Sequence, residues 1–173
     1  MVVFDASVLI DLFNPALQGE RRERLDLLVK TLSEQGEIVM IPTPAYAEFL
    51  VKADRAKTEY HSKISSSRFF NVEPFSVRAA IDCAELLEKA FSLKERRGIT
   101  RTKFKFDWMI VAAAKAHSAI CIYHIDDDIT RCAQRAGIPE VHVDTLPLPK
   151  GNLPLFPSPL PVPTPNPAAP PPA

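Results

Sequence analysis

Short apolar runs alternate with longer stretches of helical spacing along the first 146 residues. Residues 2–4 read as a strand, and residues 7–13 as a short helix stopped by Asn14-Pro15. Residues 21–35 put Leu25, Leu28, Val29 and Leu32 on one face and end at Gly36, the position where a helix commonly stops. Residues 38–41 form a second strand. Pro42-Thr43-Pro44 then turns the chain into a helix carrying Glu48, with Pro44 suited to a first helical turn. Residues 54–67 are polar and predict a helix followed by a serine-rich loop, and residues 69–72 a third short strand. A long amphipathic helix follows at residues 77–96, with Ala80, Ile81, Ala84, Leu87 and Phe91 inward and Gly98 closing it. Asp107 opens the next helix, which runs to about His117. Residues 120–123 give a strand, residues 127–136 a helix ending at Gly137, and residues 141–143 a last strand.

Strands that alternate with helices imply an α/β fold in three layers, a central parallel sheet flanked by helices on both faces. In such sheets ligands bind outside the carboxyl ends of the strands. The pattern changes at Pro147. Residues 147–173 hold 12 of the 17 prolines and a single charged residue, Lys150. Such a segment favours extended backbone with few hydrogen bonds and is read as a flexible tail on a domain of residues 1–146. It also offers a docking strip for a proline-reading partner.

Composition narrows the class. Hydrophobic residues make up 46% of the chain and charged ones 24%, ordinary for a soluble globular domain. The 21 basic residues balance 21 acidic ones, so bulk charge does not steer the protein toward nucleic acid, although a local basic rim is compatible with this balance. Cys83, Cys121 and Cys132 lack paired spacing and sit among apolar neighbours, which reads as reduced core cysteines of a cytoplasmic protein. No run reaches the ~18 apolar residues of a membrane span, and Asp5 interrupts the first apolar run, against a signal peptide. His61, His117 and His142 show no zinc-ligand spacing with one another or with the cysteines.

The chemistry lies in four acids. Asp5 and Asp126 follow apolar runs, where buried strands end; Glu48 and Asp107 sit on apolar helices. Each has an ordinary structural role open to it. Asp5 and Asp126 suit helix caps, Glu48 can pair with Lys52 one turn on, and Asp107 can complement a helix dipole. Brought together, however, carboxylates resist ionising unless a cation neutralises them. A hard divalent ion bound by one or two carboxylates plus water answers that need, and its chemistry is phosphate-ester hydrolysis. Just before Asp107, Arg101-Thr102-Lys103-Phe104-Lys105-Phe106 interleaves basic and aromatic residues, a pattern suited to phosphate contacts and base stacking on a single strand. A solvated loop whose phenylalanines join the core explains the same residues equally well. Lys52, Arg55 and Lys57 add positive charge beyond Glu48.

Four segments resemble the motifs of PIN-domain nucleases in order and spacing. Val2-Val3-Phe4-Asp5-Ala6-Ser7 looks like their opening, Ala45-Tyr46-Ala47-Glu48-Phe49-Leu50 like the second motif, Lys105-Phe106-Asp107-Trp108-Met109-Ile110 like the third, and Ile122-Tyr123-His124-Ile125-Asp126-Asp127-Asp128 like the fourth. The resemblance covers about residues 1–146. It implies a Mg2+- or Mn2+-dependent endoribonuclease of the VapC kind, the toxin of a type II toxin–antitoxin pair, with an antitoxin as partner and a homodimer as the expected assembly. It further implies that Asp5, Glu48, Asp107 and Asp126 hold the metal, that Ser7 hydrogen-bonds within the pocket and that Asp128 is an auxiliary carboxylate. Lys103, Lys105 and Lys52 are the candidate substrate contacts. Cleavage would leave a 3′-hydroxyl and a 5′-phosphate. A nuclease that processes RNA or DNA without a toxin role, and a non-catalytic nucleic-acid or protein-binding module, are the alternatives. One departure stands out: His124 occupies the position, two residues before the fourth-site aspartate, where the family usually has threonine or serine. There it could narrow substrate access, contact a phosphate or mark altered activity; a partly buried imidazole at a strand end is the plainer reading.

Overall fold

The computed structural model describes residues 1–93 and 100–149, Arg101 by its backbone alone. The expected helix end at Gly98 and the proline-rich segment from residue 150 lie outside the described residues. Five parallel strands form one sheet: β1 (Val2–Phe4), β2 (Val39–Pro42), β3 (Phe70–Glu73), β4 (Ile122–His124) and β5 (Glu140–His142), in the order β3-β2-β1-β4-β5. β1 and β2 are buried throughout, as the continuous apolar runs of a sheet covered on both faces require. Strand alternation divides their side chains. Val3, Met40 and Ile122 face one core with α5 (Val77–Ser92), α6 (Arg101–Ala116) and α7 (Asp127–Ala136). Val2, Phe4, Val39 and Ile41 face the other, with α1 (Ala6–Leu12), α2 (Glu20–Glu34) and α4 (Lys57–Ser65). The helix after β2, α3 (Thr43–Lys52), contributes Ala45 to the first core and Phe49 to the second.

The three-layer α/β architecture is the expected one. Strand edges shift by a residue or two, because an apolar run marks burial whereas the ladder is set by backbone pairing. Two helices differ more. On α5 the buried stripe is Ala79, Asp82, Cys83, Leu86 and Ala90; the expected inward residues Ala80, Ile81, Ala84 and Phe91 are exposed and Leu87 is half-buried. The face turns because Asp82 can be buried: Arg78 Nε lies 3.0 Å and Lys115 Nζ 3.8 Å from its carboxylate. A charge paired from both sides is admitted where an isolated one is not. The second difference is α6, which starts at Arg101 rather than at Asp107. Thr100 Oγ1 caps it by accepting from the Lys103 N–H at 3.3 Å. The mixed basic and aromatic segment is therefore helical, and Asp107 sits well inside the helix instead of at its positive end.

All three cysteines are buried and stand outside any disulfide among the described residues. Among the described residues no helix is long and apolar enough to cross a membrane.

Candidate active site

From β1 the chain builds outward to one side through β2 and β3, then crosses back through α5 and α6 to place β4 on the other side of β1. The carboxyl ends of β1 and β4 thus flank the point where strand order reverses, the customary crevice of an open parallel sheet. Asp5 stands one residue past β1 and Asp126 two residues past β4.

Asp5 is held by both neighbours. Its N–H donates to Tyr123 O at 3.1 Å, extending the β1–β4 pairing. Its Oδ2 accepts from the Ser7 N–H at 3.2 Å and from Ser7 Oγ at 2.6 Å. Ser7 Oγ in turn accepts from the Ile125 N–H at 3.1 Å, bolting the end of β1 to the end of β4. Asp5 therefore caps α1, but with one oxygen, leaving the other for the cleft that Asp5 lines. Burial pushes its carboxyl above the ordinary range; the Ser7 bonds offset part of this and Asp126 adds to it.

Two residues of α6 reach the same place, because Lys103 and Asp107 are one turn apart on one face. Asp107 is 7% exposed, and its Oδ2 has no hydrogen-bond partner. Its carboxyl is pushed up to about 7, chiefly by burial, with Asp126, Asp5 and Asp128 adding repulsion and Lys103 opposing. Across the cleft α3 presents Glu48 at an exposed position. Its carboxyl is also raised, by desolvation first and then by Asp5 and Asp126, while Lys52 and Lys103 pull the other way. Among the described residues no ion pair joins Glu48 to Lys52.

The fourth corner differs. Asp126 caps α7, its Oδ1 accepting from the Asp128 N–H at 2.9 Å. Its Oδ2 lies 2.8 Å from Lys103 Nζ, which also stands 2.5 Å from Asp128 Oδ2. Asp128 gives its other oxygen to Arg131. Burial works against ionising Asp126, but the Lys103 ammonium and the Asp128 N–H prevail and hold it below the usual range. The same two carboxylates push Lys103 upward against its own desolvation.

The four acids line one cleft of about 490 Å³ together with Ser7, Lys103 and Phe106. Of the candidate substrate lysines only Lys103 lines it. Lys52 borders an adjoining hollow that shares Ile10 with the cleft, and Lys105 lies on a neighbouring patch with Thr102 and Phe106. The two phenylalanines divide: Phe104 is buried in the core, whereas Phe106 stands at the cleft wall. Lys103's pairing with Asp126 and Asp128, and the place of Arg131, escaped sequence reasoning. Thr100 as a helix cap was the one signal that sets Lys103 and Asp107 on one face.

His124 does not reach the cleft. It is fully buried on β4, its Nε2 2.8 Å from Glu140 Oε2 and its ring 5.4 Å from that of His142. Obstructing substrate or touching phosphate is ruled out by this position; the imidazole at a strand end is wholly rather than partly buried. His124→Thr is expected to leave RNA cleavage within about twofold and to destabilise the fold by about 1–3 kcal/mol, through the void and the loss of the imidazole partner of Glu140 Oε2. Parallel thermal melts and cleavage rates check both halves.

Among the described residues no three His, Cys, Asp or Glu side chains converge closely enough to grip an ion unaided. The donor set still suits Mg2+, which takes one or two carboxylates and keeps several waters. On the Asp5–Asp107–Glu48 side Asp107 Oδ2 has no partner and all three carboxyls are raised, chiefly by burial, so a cation there would favour their ionised forms.

Two of the solved structures that share the fold are similar along most of this chain. One is VapBC2 from Rickettsia felis bound to a DNA fragment from their promoter, 15% identical with a TM-score of 0.60, covering 82% of this chain and 98% of that chain. The other is Mycobacterium tuberculosis VapC20, a sarcin-ricin loop cleaving toxin, 19% identical with a TM-score of 0.53 and the same coverage. No curated protein matches the sequence. The family model of the PIN domain matches residues 2–135, a span that includes all four acids, Ser7, Lys103 and Asp128. The chain belongs to the PIN domain family.

Proposed function

We propose that this protein is a divalent-metal-dependent endoribonuclease, the toxin of a type II toxin–antitoxin pair. The observation that carries the catalytic part is Asp107: a buried carboxylate with an unpartnered oxygen, facing Asp5 and Glu48 across the strand-order reversal. Asp5, Asp107 and Glu48 would hold Mg2+ or Mn2+, with Asp126 as the fourth acid of the ring. When bound, such an ion polarises a phosphate oxygen and makes a water molecule more acidic.

The protein's own residues do the rest. Ser7 fixes the rotamer of Asp5 and joins the two strand ends, so the cleft floor is rigid before substrate arrives. Burial pushes the Asp107 carboxyl up to about 7, so it would carry its proton part of the time near neutral pH, and a bound cation would favour its ionised form. Phe106 offers an apolar wall against which a base can stack, and Lys52 and Lys105 stand beside the cleft, where a strand's phosphates leave it. Water attack with rupture of the P–O3′ bond gives the 3′-hydroxyl and 5′-phosphate.

RNA as substrate and the toxin role draw support from family membership and from the fold likeness to VapBC2 and VapC20. The same reading brings an antitoxin partner, a homodimer and a cytoplasmic location. A non-catalytic binding module is disfavoured, since clustered carboxylates without a metal repel a polyanion. Induced expression is expected to arrest bacterial growth, and Asp107→Asn to relieve the arrest at equal protein level. Unimpeded growth with active purified enzyme would point instead to a processing nuclease.

A further inference from the structure

Within that metal-dependent reading, we propose that Lys103 is a tethered cation holding the Asp126–Asp128 corner in place of a second divalent ion, so that the cleft takes a single ion on its Asp5–Asp107 side.

The carboxylate oxygens on the two sides of the cleft have different partners. At Asp126, Oδ1 is taken by the Asp128 N–H and Oδ2 by Lys103. At Asp128, Oδ2 is taken by Lys103 and Oδ1 by Arg131. Each carboxylate oxygen of this corner thus already has an N–H or cationic partner within the protein. On the opposite side Asp107 Oδ2 has no partner, and the Ser7 bonds to Asp5 both fall on Oδ2. The two sides of one acidic cleft are thus built differently: one carries its counter-charge in Lys103 and Arg131, and the other holds a buried carboxylate oxygen with no donor.

Lys103 is placed by regular structure. The Thr100 cap starts α6, and one helical turn then aligns Lys103 with Asp107. Asp126 and Asp128 are aligned by the first turn of α7. In two-metal phosphodiesterases the ions sit about 3.5–4 Å apart and clamp both sides of the displaced phosphate. An ammonium cannot polarise an oxygen as a metal does, but it supplies positive charge at a fixed place and has three N–H donors. Two are engaged by Asp126 and Asp128, and the third is available to a substrate phosphate oxygen.

Mn2+ titration of the full-length protein tests this, with heat and free-Mn2+ electron paramagnetic resonance as paired readouts. Wild type and Lys103→Arg are expected to bind one Mn2+ per chain, and Lys103→Met two. Circular dichroism monitors folding, and Lys103→Gln replaces Lys103→Met should the apolar variant fail to fold. One ion with unchanged affinity in the neutral variants, or two in wild type, overturns the proposal. Should wild type bind Mn2+ and cleave RNA while the neutral variants still bind one, this inference alone fails. Should wild type neither bind Mn2+ nor cleave, the metal-dependent reading fails with it.

Discussion

Asp107→Asn is expected to abolish RNA cleavage while making the metal-free protein more stable. Losing one preorganised charged group at such a site costs about 10²–10³ in rate or more. The stability gain follows from linkage. A carboxyl whose folded-state pKa lies above its unfolded value binds its proton more tightly in the folded chain. Its contribution is present in full below about pH 4 and is lost as pH rises toward the folded value of about 7. Asparagine mimics the protonated acid and titrates nowhere. The advantage of Asp107→Asn should therefore be near zero at pH 4 and grow to on the order of 2–4 kcal/mol at pH 8. Mg2+ should stabilise wild type more at pH 8 than at pH 5 and the variant much less, because the ion supplies the missing counter-charge. Thermal melts of both proteins across pH, with and without Mg2+, measure every part. A variant less stable than wild type at pH 8 would show that Asp107 is structurally satisfied and not awaiting a cation.

The second large effect separates two roles of Asp5. Asp5→Asn keeps an oxygen that can accept from the Ser7 N–H and Oγ, so α1 stays capped. It should melt within about 1 kcal/mol of wild type yet lose cleavage by about 10²–10³. Ser7→Ala should behave in the opposite sense. It removes the hydroxyl that joins Asp5 to Ile125 N–H, costing about 1–2 kcal/mol of stability, and slows cleavage only through a looser Asp5. Equal loss of cleavage in Asp5→Asn and Ser7→Ala, at equal stability, would contradict this division.

The positions of the four acids could be read from sequence because each is tied to an apolar segment. Asp5 and Asp126 end strands, Glu48 rides a helix packed by Phe49, and Asp107 precedes Trp108 and the alanines of α6. Such marks are local, and parallel topology then sends strand ends to one side. What escaped was long-range. Lys103 is one more lysine in a basic stretch until α6 is seen to begin at Arg101 and Asp128 arrives 25 residues later. The burial of His124 depends on Glu140 in the next strand, and that of Asp82 on Lys115 in the next helix as well as on Arg78 one turn back in its own. A polar side chain is admitted to a core by its partners, and where a partner comes from another strand or helix no periodicity within its own element announces it. Two of the acids also serve ordinary structural roles: Asp5 and Asp126 cap helices, each with one oxygen.

The most direct test incubates purified wild type, Asp5→Asn and Asp107→Asn with varied RNAs in Mg2+ or Mn2+, with and without chelator. The account predicts 3′-hydroxyl and 5′-phosphate products from wild type with metal alone, cleavage lost on chelation, and neither variant active. Cleavage that persists under chelation or in both variants would contradict it.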